Sequence, residues 1–163
     1  MIYFVDDFLP DYILDETIKD LSTQDYEEVK TPGKSFYVQY PSNSFMNHIT
    51  GSISEIEGNI IDPILGFFRV SNDILDTNWR IHSDLKILGK QPDRALVLYI
   101  SPRKMNELHG TALWEHKQYG KSLPENTTDE EFDRMITKES ENLDIWTLNS
   151  VIGYNQNRAI SYP

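Results

Sequence analysis

The chain has 163 residues, with 26 acidic against 15 basic side chains and a formal net charge of -11 at pH 7. That length suits one domain with a real core, and a 39% hydrophobic, 25% charged composition marks the chain as globular and not disordered. The charge argues against a protein that works by neutralising many nucleic-acid phosphates or by coating an anionic membrane, and the lack of cysteine excludes disulfides, thiolate zinc sites, cysteine-ligated iron–sulfur clusters and cysteine nucleophiles.

Ile2 to Val5 reads as a short strand. Asp6-Asp7-Phe8-Leu9-Pro10 leads into a helix, with Asp11 as its cap and Ile13, Leu14, Ile18 and Leu21 at helical spacing. Ser35 to Tyr40 alternates, is rich in aromatics and ends at Pro41, as a strand would. Ser52 to Val70 carries Ile53, Ile56, Ile60, Ile61, Ile64, Leu65 and Phe68, the stripe of an amphipathic helix capped by Ser52 or Ser54 and broken near Pro63. From residue 79 the period shortens. Trp79 to Ile87 alternates, Arg94 to Ile100 is a nearly continuous apolar run ending at Ser101-Pro102, and Gly110 to His116 is a third strand. Lys121 to Asn126 is a polar loop. Thr128-Asp129-Glu130-Glu131 has the pattern of a capping box opening a helix to about Leu143. Trp146 to Tyr154 and Arg158 to Tyr162 are the last strands. The layout predicts one domain over 1–163, with a helical part at about 1–75 and a strand-rich core at about 79–163. The fold class is mainly β with supporting helices, or α+β.

The run Trp79-Arg80-Ile81-His82-Ser83-Asp84-Leu85-Lys86-Ile87 holds the most informative pattern. On an extended strand, His82 and Asp84 point to one face. An imidazole and a carboxylate side by side make two-thirds of the 2-His-1-carboxylate triad that holds ferrous iron and leaves three positions open. Without cysteine, any metal must be held by His, Asp or Glu, and the histidines are His48, His82, His109 and His116. An isolated His-x-Asp is more often a surface pair, so the segments downstream of it decide its weight.

About ten residues later comes a strand ending Leu98-Tyr99-Ile100-Ser101, and then His109-Gly110-Thr111-Ala112-Leu113-Trp114-Glu115-His116. This order resembles the prolyl-hydroxylase-like branch of the Fe(II)/2-oxoglutarate-dependent oxygenases. The closer likeness is to small bacterial and phage members with an H-S-D motif and a G-T-x-x-W/Y-x-H segment. Val5-Asp6-Asp7-Phe8-Leu9-Pro10 before a helix is also a common opening there. The resemblance implies a double-stranded β-helix (jelly roll), His82 and Asp84 as iron ligands, and Tyr99 as a phenol contacting 2-oxoglutarate. The reaction it implies is oxidative decarboxylation of 2-oxoglutarate to succinate and CO₂, coupled to hydroxylation of a small molecule or a side chain.

The family's third iron ligand is a histidine on a late strand, followed by a basic residue for the distal carboxylate of 2-oxoglutarate. Here Asn157-Arg158-Ala159-Ile160-Ser161-Tyr162 runs into Pro163, so the chain is expected to be a truncated member lacking its last strands. His116 or His109 would be the substitutes. Arg158 precedes the expected position and is expected to be solvated or in a structural ion pair, and Arg80 would share the face of His82 and Asp84 or form a salt bridge at the barrel edge. The alternative function is a jelly-roll binding or assembly module without turnover. A jelly roll lacking its last strands would expose strand edges, which a homodimer would cover. No apolar run reaches the length of a membrane span and the N-terminus lacks a basic start, which predicts a soluble, cytoplasmic protein with no membrane partner and no bulk nucleic-acid binding.

Overall fold

A computed structural model describes residues 1–31, 34–70, 81–82, 92–101, 109–121, 124 and 127–163. The strand expected at 79–87, apart from Ile81 and His82, lies outside the described residues, and so do Asp84, Arg80 and most of the loop expected at 121–126. The structure mixes helices with antiparallel sheets. The chain forms two compact units. One holds Met1–Ile18 and Asp93–Pro163 together with Ile81 and His82, and the other holds Lys19 to Val70.

In the first unit, β1 (Tyr3–Val5), β8 (Ala159–Tyr162) and β5 (Ala95–Leu98) form an antiparallel sheet in the order β1-β8-β5. Phe4 pairs with Ile160, and Val97 pairs with the same residue from the other side. The central strand is therefore the buried one, with Ala159, Ile160 and Ser161 almost wholly covered. The run at 95–98 is half-buried and shorter than its apolar composition predicts. β6 (Gly110–His116) pairs antiparallel with β7 (Trp146–Gly153), with a bulge in the register at Leu113/Trp114.

Between β6 and β7 lies the helical insertion. Helix α3 (Asp129–Arg134) starts with the capping box read from the sequence. Glu131 N–H donates to Thr128 Oγ1 at 3.2 Å, and Thr128 N–H donates to Glu131 Oε2 at 3.0 Å. It continues as a π-helical turn, Met135–Glu139, and a 3-10 turn, Leu143–Ile145. The insertion is not one α-helix to Leu143. Its apolar side builds a core of Ile81, Met135 and Trp146, against which Trp114, Tyr119, Phe132, Ile136 and Ile145 pack.

Helix α1 (Asp11–Thr23) follows the predicted stripe: Ile13, Leu14, Ile18 and Leu21 are half-buried beside buried Thr17. Its first carbonyl partner is Pro10, which accepts from the amides of Ile13 and Leu14. In the second unit, β2 (Glu27–Thr31), β3 (Lys34–Gln39) and β4 (Phe68–Val70) form an antiparallel sheet in chain order. Helix α2 runs Asn43–Glu57, nine residues earlier than the stripe of isoleucines predicts. Ser42 caps it by accepting from Phe45 N–H, and Gly58 ends it in the left-handed conformation at φ 69. Only Ile49 and Ile53 are buried on it, while Ile60 beyond the stop is 96% exposed. Ser54 accepts from Ile61 N–H at 3.0 Å, so it closes the exit instead of opening the helix. Phe45 of α2 meets Phe68 of β4, ring centroids 5.1 Å apart.

Candidate functional site

The first unit brings together the two segments that lie downstream of the His-x-Asp motif. Tyr99 leaves β5 with both backbone groups clamped: its N–H donates to Arg158 O at 3.0 Å, and its carbonyl accepts from Asn157 N–H at 2.7 Å. The side chain reaches β6, where its hydroxyl lies 2.6 Å from Thr111 Oγ1. The Tyr154 ring packs on it with centroids 4.9 Å apart. Tyr154 is itself held at both ends, its N–H donating to His109 O and its hydroxyl to Ser101 O. Burial pushes both phenols above the usual tyrosine range, partly offset at Tyr99 by the Thr111 hydrogen bond. Both are neutral hydroxyls at pH 7, able to donate without bringing a charge.

The Gly-Thr pair at the start of β6 has a steric reason. Gly110 sits at φ 151, and a Cβ there would lie 2.1 Å from the carbonyl oxygen of Ile152. Only glycine lets β6 close on β7 at this point, and that approach sets Thr111 beside Tyr99.

Of the two roles left open for it, Arg158 takes the ion pair. Its Nε and Nη2 donate to the two oxygens of Asp6 at 2.6 and 2.8 Å, and Nη1 donates to Gly153 O. The guanidinium lies 4.8 Å over the Phe4 ring. The Arg158 hydrogen bond holds the Asp6 carboxyl below the ordinary aspartate range.

Asn157 carries no motif that marks it in the sequence. It adopts a left-handed φ of 62, unusual for a residue with a side chain but most accessible to Asn. Its side chain completes both backbone groups of Leu9, accepting from the N–H at 2.8 Å and donating to the carbonyl at 2.8 Å. The turn that places Arg158 against Asp6 and Tyr99 is thereby tied to the N-terminal segment.

Of the sequence-predicted iron ligands, His82 is exposed and comes directly after Ile81, which is buried in the core under Trp114. Asp84 is outside the described residues. Among those residues no three His, Asp or Glu side chains are grouped to hold a metal. His48 lies on α2 in the second unit, and His109 is exposed at the start of β6.

His116 is buried, and its ring is engaged elsewhere. Nδ1 accepts from the amides of Gln118 and Tyr119 at 3.1 and 3.3 Å. Its lone pair is therefore in use, and the ring proton sits on Nε2, facing Glu139 Oε2 at 3.4 Å. Glu139 is also paired with Arg134 at 3.1 Å, and Arg134 donates to the Tyr119 hydroxyl. The imidazole is stacked on Tyr119 and set edge-on to Trp146. A neutral imidazole that binds a metal through Nε2 needs its proton on Nδ1, so this arrangement does not suit ligation. Alternation adds a second argument. Thr111 and His116 are five residues apart on β6 and lie on opposite faces. One site cannot use the Tyr99 phenol and the His116 ring together.

Tyr99 presents a neutral, half-buried phenol with a second hydroxyl behind it. For iron, the described residues supply the exposed His82 imidazole and no complete donor set. The class that fold and site define is thus an α+β protein with antiparallel sheets and a two-hydroxyl polar site between β5 and β6. Comparison with protein-family models, curated proteins and solved structures gave no match. No helix among the described residues is long and apolar enough to cross a membrane.

Proposed function

We propose that the chain is an oxygenase of the Fe(II)/2-oxoglutarate type built on a double-stranded β-helix. His82 and Asp84 are the iron ligands, and Tyr99 donates to a carboxylate of 2-oxoglutarate. The observation that carries the reading is the Tyr99–Thr111 contact. It joins in space the Leu98–Ser101 and Gly110–His116 segments, whose order behind His-Ser-Asp is the sequence resemblance. Bound iron and 2-oxoglutarate supply the oxidising chemistry. The chain supplies ligands and orientation. The substrate class is a small molecule or a side chain.

A second reading, a binding or assembly module without turnover, is favoured by two observations. Arg158, the basic residue closest in sequence to the expected carboxylate clamp, is already engaged by Asp6, and His116 is not set up as a third ligand. Equilibrium dialysis against ferrous iron without oxygen tests the first reading. The wild-type chain should retain about one equivalent, and the His82→Ala, Asp84→Ala double variant none. Equal iron in both would remove the ligand assignment.

A further inference from the structure

We propose that Thr111 is the positioning residue for the Tyr99 phenol, holding it as a donor for one carboxylate of a small 2-oxo diacid. The proposal rests on the oxygenase reading above. The two oxygens are 2.6 Å apart, and either can be the donor. Each hydroxyl has one hydrogen, free to rotate, and two acceptor lone pairs. Without a ligand the two hydroxyls bond each other, with either oxygen as donor. When a carboxylate arrives, the phenol turns its hydrogen onto the anion and Thr111 turns its own onto the phenol oxygen. Both oxygens stay bonded throughout, and no heavy atom need move. A phenol that accepts one hydrogen bond also donates a stronger one.

The rest of the geometry removes other freedom from Tyr99. Its backbone is pinned by Arg158 and Asn157, one ring face is covered by Tyr154, and Thr111 is fixed by the close approach of Gly110 to Ile152. Rotation of the phenol hydrogen is what remains. Thr111 acts on a ligand only through Tyr99, and that separates it from a residue that merely packs.

Calorimetric titration of the full chain with 2-oxoglutarate tests this, with Mn(II) in place of iron so that nothing turns over. Thr111→Val keeps the β-branched shape and deletes the hydroxyl. It should weaken 2-oxoglutarate binding about three- to tenfold, the worth of one neutral hydrogen bond. Thr111→Ser should restore binding to within about twofold, since it returns the hydroxyl. The Thr111→Val, Tyr99→Phe double variant should bind no more weakly than Tyr99→Phe alone. A ¹³C-tyrosine spectrum, with Tyr99 assigned by its loss in Tyr99→Phe, should show the Tyr99 signal shifted and its titration moved to higher pH in Thr111→Val. Unchanged binding in Thr111→Val, or losses that add in the double variant, would overturn the positioning role while leaving the oxygenase reading intact. A wild-type chain that binds no 2-oxoglutarate would overturn both.

Discussion

Replacing Asn157 by alanine deletes two 2.8 Å hydrogen bonds to Leu9, a residue that is 1% exposed. Each orphaned backbone group costs about 1–3 kcal/mol. Alanine must also hold the left-handed φ of 62, which costs it about 1 kcal/mol. The expected loss is about 3–7 kcal/mol, a large part of the stability of an ordinary domain. Asn157→Gly relieves only the backbone strain and should be about 1 kcal/mol less damaging than alanine. Asn157→Asp can still accept from Leu9 N–H, but it sets a buried carboxylate oxygen against the Leu9 carbonyl, so at neutral pH it should be no more stable than the glycine variant. Urea unfolding followed by tyrosine and tryptophan fluorescence measures the series, and hydrogen exchange of the Leu9 amide reports the local part. An alanine variant within about 1 kcal/mol of wild type, with Leu9 still protected, would refute the reasoning.

Three other outcomes are expected. Gly110→Ala puts a Cβ 2.1 Å from the Ile152 carbonyl, and should cost about 3 kcal/mol and loosen Thr111, read as lost thermal stability and a shifted Tyr99 signal. Met135→Ala opens a void between Ile81 and Trp146 and should cost about 2–5 kcal/mol by urea unfolding; a loss below about 1 kcal/mol would mean that this core is loosely packed. Asp6 has a folded pKa depressed by Arg158, so its contribution is present above the unfolded aspartate value of about 3.9 and is lost as pH falls through the folded value. Asp6→Asn should therefore flatten the acid side of the stability profile below about pH 4; an acid limb identical to wild type would deny the linkage.

The elements legible in the sequence are those whose signals are local. The capping box at Thr128–Glu131 and strand β6 from Gly110 to His116 follow from neighbouring residues. Helix α2 lies earlier than its apolar pattern indicates because residues 60, 61, 64, 65 and 68 continue the isoleucine stripe past the point where Gly58 turns the chain. The stop is a matter of backbone conformation, and hydrophobic period does not register it. Strand β2 is hard to see in the sequence because Glu28 and Lys30 charge one face and Glu27 adds a charge to the other. Its pairing with β3, from Glu27↔Val38 to Thr31↔Lys34, is a matter of cross-strand register.

At the site, Tyr99 is legible through its place behind an apolar strand. Thr111 as its partner is not, because that contact depends on how β6 meets β5. Asn157 leaves only the faint signal of an Asn before a charged residue. The fixed tautomer of His116 cannot be read from alternation alone, which gives the face of β6 and not the turn at Gln118 and Tyr119 that uses the ring nitrogen.

The central claim is an iron site at His82 and Asp84 with 2-oxoglutarate held at Tyr99. Anaerobic titration of the Fe(II)-loaded chain with 2-oxoglutarate, followed by visible absorption, tests it most directly. Chelation of ferrous iron by the 2-oxo acid should produce a metal-to-ligand charge-transfer band. That band should saturate at about one equivalent in wild type, need more 2-oxoglutarate in Tyr99→Phe, and vanish in the His82→Ala, Asp84→Ala variant. No band in the wild-type chain, or an equal band in all three proteins, would contradict the account.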